Sequence, residues 1–210
     1  MKVLIGCETS GIVRDAFLEQ GHDAWSCDIL PADTPTNRHI QDDVRNVMNS
    51  DYWDLLMVAH PPCTRLCNSG VRWLHKAPPN RTLEEMWAEL DKGAALFSEV
   101  WNVFHIPMVA VENPVMHKHA KARIENYEPF AQSIQPWEFA QSDDCADNVK
   151  KRTCLWLRNL PKLKRTGTLD GSTARDECHK LPPSADRWKL RSKFYKGIAD
   201  AMAMQWGCLA

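Results

Sequence analysis

Long hydrophobic runs are missing from this 210-residue chain; none approaches the roughly 18 consecutive apolar residues that a membrane span needs. The opening MKVLIGCETSG turns polar too early for a secretory signal, so a cytoplasmic protein with no membrane partner is expected. Cys-x-x-Cys pairs are absent, and without a secretion signal the eight cysteines are expected to stay reduced. No internal repeat or low-complexity linker breaks the sequence, and its length suits one domain spanning 1–210. With 44% hydrophobic and 25% charged residues, the composition excludes a disordered tail, a fibrous repeat and a long coiled coil.

Net charge is nearly absent too, at −1 from 26 Lys+Arg and 27 Asp+Glu, but the two signs are segregated. Residues 1–60 carry −6 and residues 61–147 carry −4, whereas 148–197 hold 14 basic against 4 acidic residues. On an otherwise acidic chain such a block is either a footprint for a polyanion or a solvated surface. The nine tryptophans read as core and wall residues. Cys63 and Cys67 with Cys178-His179 could form a zinc site, but the spacing is unlike structural-zinc patterns and no metal is expected.

Strand and helix signals alternate along the chain. Lys2 to Gly6 reads as a buried strand, followed by a helix over Gly11–Glu19 with Gly21 just past its end. Ala24 to Asp28 reads as a second strand ending in an acid, and Leu55 to Ala59 as a strand buried on both faces. Thr82 and Glu85 form a capping box for a long amphipathic helix reaching Phe104. Met108 to Val111 is another apolar strand, ending in Glu112-Asn113-Pro114. Short β-like pieces follow at Ile134–Phe139 and Thr153–Leu157, then a final helix over Lys196–Trp206. The pattern predicts an α/β fold with a doubly wound, mostly parallel sheet and ligands at the carboxyl ends of its strands.

Three segments carry chemistry. His60-Pro61-Pro62-Cys63-Thr64 puts a thiol at a strand end, on a loop stiffened by two prolines; alternatively Cys63 is a small buried hydrophobe. Glu112-Asn113 puts a carboxyl group where partial burial would raise its pKa toward neutrality, or else braces a loop. Lys150-Lys151-Arg152 leads into an apolar β run, and is either a cationic edge to a site or plain surface charge.

In this order, and with the N-terminal strand–turn–helix, these segments resemble the cytosine-C5 DNA methyltransferase family. The likeness covers nearly the whole chain and is nearest to short methyltransferase-like proteins encoded by bacteriophages, which would place the protein in the host cytoplasm. It implies a Rossmann-like S-adenosylmethionine-dependent methyltransferase fold. Leu4 to Arg14 is similar to the cofactor-cradling motif, so Gly6, Ser10 and Gly11 become candidate cofactor contacts, with Pro61 on the same side. Asp28 is similar to the acid that binds the cofactor ribose, and Asp43 to the one near its adenine. Pro62-Cys63 matches the nucleophile motif and Glu112-Asn113 the acid motif, while Arg152 matches the second Arg of a Gln-x-Arg-x-Arg motif. Tyr195 to Met202 looks like the family's closing motif. The implied catalytic residues are Cys63, Glu112 and Arg152, and the implied substrate contacts are Asn113, Lys150, Lys151 and Arg158.

Three departures stand out. Glu8 and Ser10 replace two glycines of the cofactor motif; Thr64 follows the nucleophile, and Asn148 and Lys150 alter the Arg motif. Residues 158–190 leave 33 positions where the family carries a full target recognition domain, so 148–190 is read as a reduced one ahead of the closing helix at 191–210. The resemblance implies methyl transfer from S-adenosyl-L-methionine to C5 of cytosine in duplex DNA, through a covalent Cys63 adduct on a flipped-out base. The same chemistry on single strands or a free cytosine nucleotide, exocyclic-amine methylation, and a non-catalytic nucleic-acid-binding relic remain alternatives.

Overall fold

Val3, Leu4 and Ile5 follow one another without a polar break, so a strand there is stable only with both faces covered. All three are fully buried at the centre of β1 (Lys2–Gly6) in the computed structural model, which describes residues 1–177, 180, 191–192 and 194–209. Beside β1 lie β2 (Asp23–Asp28), β3 (His39–Gln41), β4 (Leu55–Val58) and β5 (Met108–Asn113), all parallel. A hairpin-like pair, β6 (Gln132–Ile134) and β7 (Thr153–Arg158), completes the sheet in the order β3-β2-β1-β4-β5-β7-β6. β7 runs antiparallel to both of its neighbours. The chain is therefore α/β with a mostly parallel, Rossmann-like sheet.

Strand alternation distributes the core between two faces. Val3, Ile5, Leu55, Met57, Ala110 and Leu155 pack against α1 (Ile12–Glu19) on one face. Leu4, Leu56, Val58, Val109, Val111 and Trp156 meet α2 (Val44–Ser50) and α3 (Leu83–Trp101) on the other. A four-residue α4 (Lys118–Lys121) follows β5, and α5 (Lys196–Trp206) lies beside α1. Thr82 and Glu85 form the expected reciprocal capping box of α3, and Gly21 takes the left-handed conformation (φ 79°) just beyond α1.

Several boundaries differ from the sequence reading. Helix α3 stops at Trp101, three residues short of Phe104, which is 92% exposed. Strand β5 runs through Glu112 and Asn113, because β7 supplies partners for both (Leu155 and Cys154). Pro136 to Phe139 is a 3-10 turn rather than strand, started by a proline that cannot donate to a ladder. Strand β3 and helices α2 and α4 are too short to leave a periodic trace. Among the described residues, no helix is long and apolar enough to cross a membrane.

Candidate functional site

The strand order reverses between β1 and β4, so the crevice above their carboxyl ends is where an open α/β sheet binds ligands. Four sequence-predicted segments lie along that edge. They are the turn after β1, Asp28 at the end of β2, the loop after β4, and Glu112-Asn113 at the end of β5. β7 starts at the same edge, since Cys154 is registered with Asn113, and this brings Lys150-Lys151-Arg152 alongside.

At the β1 side, Gly11 caps α1 in a left-handed conformation (φ 74°), and a Cβ there would lie 2.2 Å from the Arg14 guanidinium. The helix amides are taken by Glu8, which is fully buried and accepts from Val13 N (2.8 Å) and Arg14 N (3.2 Å). Ser10 Oγ donates to the same carboxylate at 3.3 Å. Burial pushes Glu8 up to about 7, although these donors oppose the shift. A helix N-terminus that would otherwise attract phosphate is thus already occupied by an internal carboxylate. Gly6 abuts Val44, so the turn and α2 approach closely.

Asp28 and Asp43 converge on this turn: after desolvation itself, both act, with Cys27, to raise the pKa of the half-buried Cys7 thiol. Asp28 is half-buried and burial raises its carboxyl, with Leu30 N donating to it at 2.9 Å. Asp43 caps α2 through Arg45 N and pairs with the Arg45 guanidinium, which lowers it. Ile29, 69% exposed directly after Asp28, adds an apolar surface that the charge-based sequence reading missed. Together these groups suit a ligand with hydroxyl donors and an apolar ring, and disfavour a phosphate.

At the β4 side, Pro61 is buried and Cys63 half-buried, and the Cys67 N–H donates to the Cys63 carbonyl at 3.0 Å to close one turn. The turn is tight: a Cβ on Gly70 would lie 1.9 Å from the Thr64 carbonyl oxygen. Donation to the Cys67 sulfur, with burial and the charges of Cys67 and Glu112, holds the Cys63 thiol well above its ordinary value, and Lys151 opposes this. The paired Cys63 thiol lowers Cys67, against its own burial, and the Cys67 sulfur lies 3.0 Å from the Ser69 hydroxyl oxygen.

Glu112 is buried and pushed up to about 7 by burial, with Lys151 pulling it down and Cys67 pushing it further up. Strand alternation places the neighbouring Asn113 on the opposite face. Its amide oxygen and nitrogen are both buried without a hydrogen-bond partner among the described residues. His60 Nε2 is likewise unpartnered, and burial followed by Lys151 lowers its pKa to about 3, so the imidazole is neutral. Buried polar atoms left unpaired cost roughly 1–3 kcal/mol each. Three of them at two adjacent strand ends mark a place where a ligand would supply partners.

The predicted catalytic arginine is placed differently. Arg152 is exposed, whereas Lys151 is half-buried and is the cation that acts on Cys63, Glu112 and His60. Lys151 Nζ also lies 5.4 Å from the centre of the Tyr195 ring, which ties it to the start of α5. Lys150 is exposed at the same edge. The substrate role expected for Arg158 is corrected. It is paired with Val109 at the opposite end of β5, about 13 Å from Asn113 at ~3.3 Å per residue. Its guanidinium donates to the carbonyls of Trp101, Val103 and Ile106, where α3 ends. Arg158→Ala is expected to lower stability by about 2 kcal/mol, measured by urea unfolding, and to leave nucleic-acid affinity unchanged.

The basic block is not one uniform face. Arg165 lies against Trp137 and bonds the Leu169 carbonyl, and Arg175 holds Cys145 and Ala146 carbonyls. Lys196 pairs with Asp200 and Glu19. Arg187, Lys189 and Lys193 of the block, with Cys178 and His179 of the zinc alternative, lie outside the described residues.

No protein-family model matches the sequence, and no curated protein matches it significantly.

Proposed function

We propose that this chain is an S-adenosylmethionine-dependent methyltransferase acting on C5 of cytosine in DNA through a covalent adduct at Cys63. The observation that carries the reading is the gathering of a thiol, a carboxyl group with a pKa near neutrality and a cation at adjacent strand ends. Those are Cys63, Glu112 and Lys151. The cofactor side supports it independently: the α1 amides are occupied by Glu8, so a dinucleotide pyrophosphate is disfavoured, while Asp28 can accept from ribose hydroxyls.

S-adenosylmethionine, when bound by Asp28, Asp43 and the Gly6–Gly11 turn, supplies an electrophilic methyl group. Cytosine C5 is too weak a nucleophile to take it unaided. Cys63 Sγ adds to C6, and the C5–C6 π electrons become an enamine-like pair at C5. Glu112, raised far enough to hold its proton below about pH 7, donates to N3 and draws electrons away from C6. Lys151 offsets negative charge on the activated ring. After methylation a solvent water takes the C5 proton, the C–H electrons re-form the C5–C6 double bond, and Cys63 leaves as thiolate. Duplex DNA requires base flipping for this attack, and the short 158–190 segment equally favours single strands or a free nucleotide as substrate.

The test is methyl transfer from labelled S-adenosylmethionine to duplex DNA, single strands, dCMP and dCTP. Transfer to cytosine C5 in any of them supports the chemistry and identifies the substrate; transfer to the exocyclic amine, or to nothing, rejects it. On the cofactor side, Asp28→Asn is expected to weaken S-adenosylmethionine binding by about ten- to a hundredfold by calorimetry. This is the loss of one charge-assisted hydrogen-bonding group.

A further inference from the structure

Residues 61–147 sum to −4, which hides two stretches without a single acid, 72–76 (RWLHK) and 117–123 (HKHAKAR). The fold brings them together. The His75 and His119 rings lie 6.0 Å apart, and Trp87 of α3 is 5.3 Å from His119. Arg72 lies over Trp73 at 4.4 Å and Arg123 over Trp87 at 4.7 Å, contacts that fix where these charges sit. His119 is lowered by desolvation and then by Lys118, His117, His75 and Arg123, so charges from both stretches act on one point.

Arg72, Lys76, Lys118 and Lys121 are exposed, and among the described residues no acid or carbonyl pairs with their side chains. Three acids of α3 are paired already: Asp91 with Arg123, Glu89 with Arg65 and Arg81, and Glu85 with Arg81. In the 148–197 block, by contrast, Arg158, Arg165 and Arg175 hold backbone carbonyls and Lys196 pairs with Asp200. The patch is also joined to the turn that carries Cys63. The His117 N–H donates to the Leu66 carbonyl at 3.1 Å, its ring bonds the Arg65 carbonyl at 2.6 Å, and Cys67 bridges to Met116.

We propose that residues 72–76 and 117–123 form a surface for the phosphodiester backbone of a nucleic-acid strand, leading it to the Cys63 turn. This deepens the methyltransferase reading and rests on it for the chemistry, choosing a polynucleotide over a free nucleotide as substrate. Four separate unpaired cations match successive phosphates of a strand better than the single phosphate cluster of a nucleotide. Such contacts orient a strand without reading its sequence, which suits a chain with only the short 158–190 segment for target recognition.

The test is the affinity of the cofactor-free protein for a fluorescent single strand of about 20 nucleotides and for its duplex, by anisotropy from about 50 to 200 mM salt. Lys118→Glu with Lys121→Glu, and separately Arg72→Glu with Lys76→Glu, should weaken binding about tenfold or more. Each pair should also reduce the salt slope by about 1–2. Weakening on either form supports the surface and identifies the form it takes. Lys162→Glu with Lys164→Glu, exposed cations of the 148–197 block, should change affinity by less than about threefold. Patch variants that bind like wild type while the block pair loses affinity overturn the proposal, as does wild-type affinity independent of salt. Methylation of dCTP with a kcat/KM at or above that of the strand overturns the choice of a polynucleotide. Patch-dependent binding with no methyl transfer to any substrate supports the surface, but removes the reaction assigned to the chain.

Discussion

Cys63→Ser is expected to lose methyl transfer by a factor on the order of 10⁴ or more, while its unfolding transition stays close to wild type. Serine nearly matches the volume of cysteine, so the turn that Gly70 and Thr64 close is preserved. What disappears is a nucleophile that can ionise in this setting. The loss should appear in the chemical step: S-adenosylmethionine binding, read by calorimetry, should change by less than about twofold. An active Cys63→Ser would leave the thiol as a small buried residue and remove the reason for its position.

Glu112→Gln carries the second large effect, about 10²- to 10⁴-fold in rate, because the amide keeps the shape but cannot donate a proton. Its pH dependence follows from the direction of the shift. Burial raises the folded carboxyl from 4.5 to about 7, so the protonated, donating form is lost as pH rises through about 7. Wild-type turnover should therefore fall above that pH, and the residual activity of Glu112→Gln should not show this limb. The same shift sets a stability slope of defined sign. The folded state binds the proton more tightly than the unfolded one, so stability is greatest below pH 4.5 on account of this group and declines toward pH 7. Glu8, also raised to about 7, contributes with the same sign. Urea midpoints measured between pH 5 and 8 should fall less steeply in Glu112→Gln.

Continuous apolar runs made β1, β4 and β5 legible, because strands buried on both faces have no polar alternation. The capping box located the start of α3, and Lys196–Trp206 appeared as α5 with the boundaries expected. Strand β3 and helix α2 escaped: three and seven residues are too few to show a period, and β2 and α3 provide the packing that fixes them. Cys63 and Glu112 could be picked out because each ends a strand, where an open sheet places its ligands.

Lys151 shows where sequence order stops being informative. A motif alignment favours Arg152, but the antiparallel entry into β7 exposes Arg152 and turns Lys151 toward the two strand ends. Arg158 failed for a related reason. Its charge counted toward the basic block, while the antiparallel register carried it to the far end of the sheet.

The most direct measurement uses DNA carrying 5-fluorocytosine together with S-adenosylmethionine. Fluorine at C5 cannot leave as the proton does, so an enzyme working through the Cys63–C6 bond is trapped after methylation. Mass spectrometry should find a cofactor-dependent covalent complex whose crosslinked peptide contains Cys63, and should find none with Cys63→Ser. Efficient methylation of ordinary cytosine DNA with no trapped complex on the fluorinated strand would contradict the covalent account.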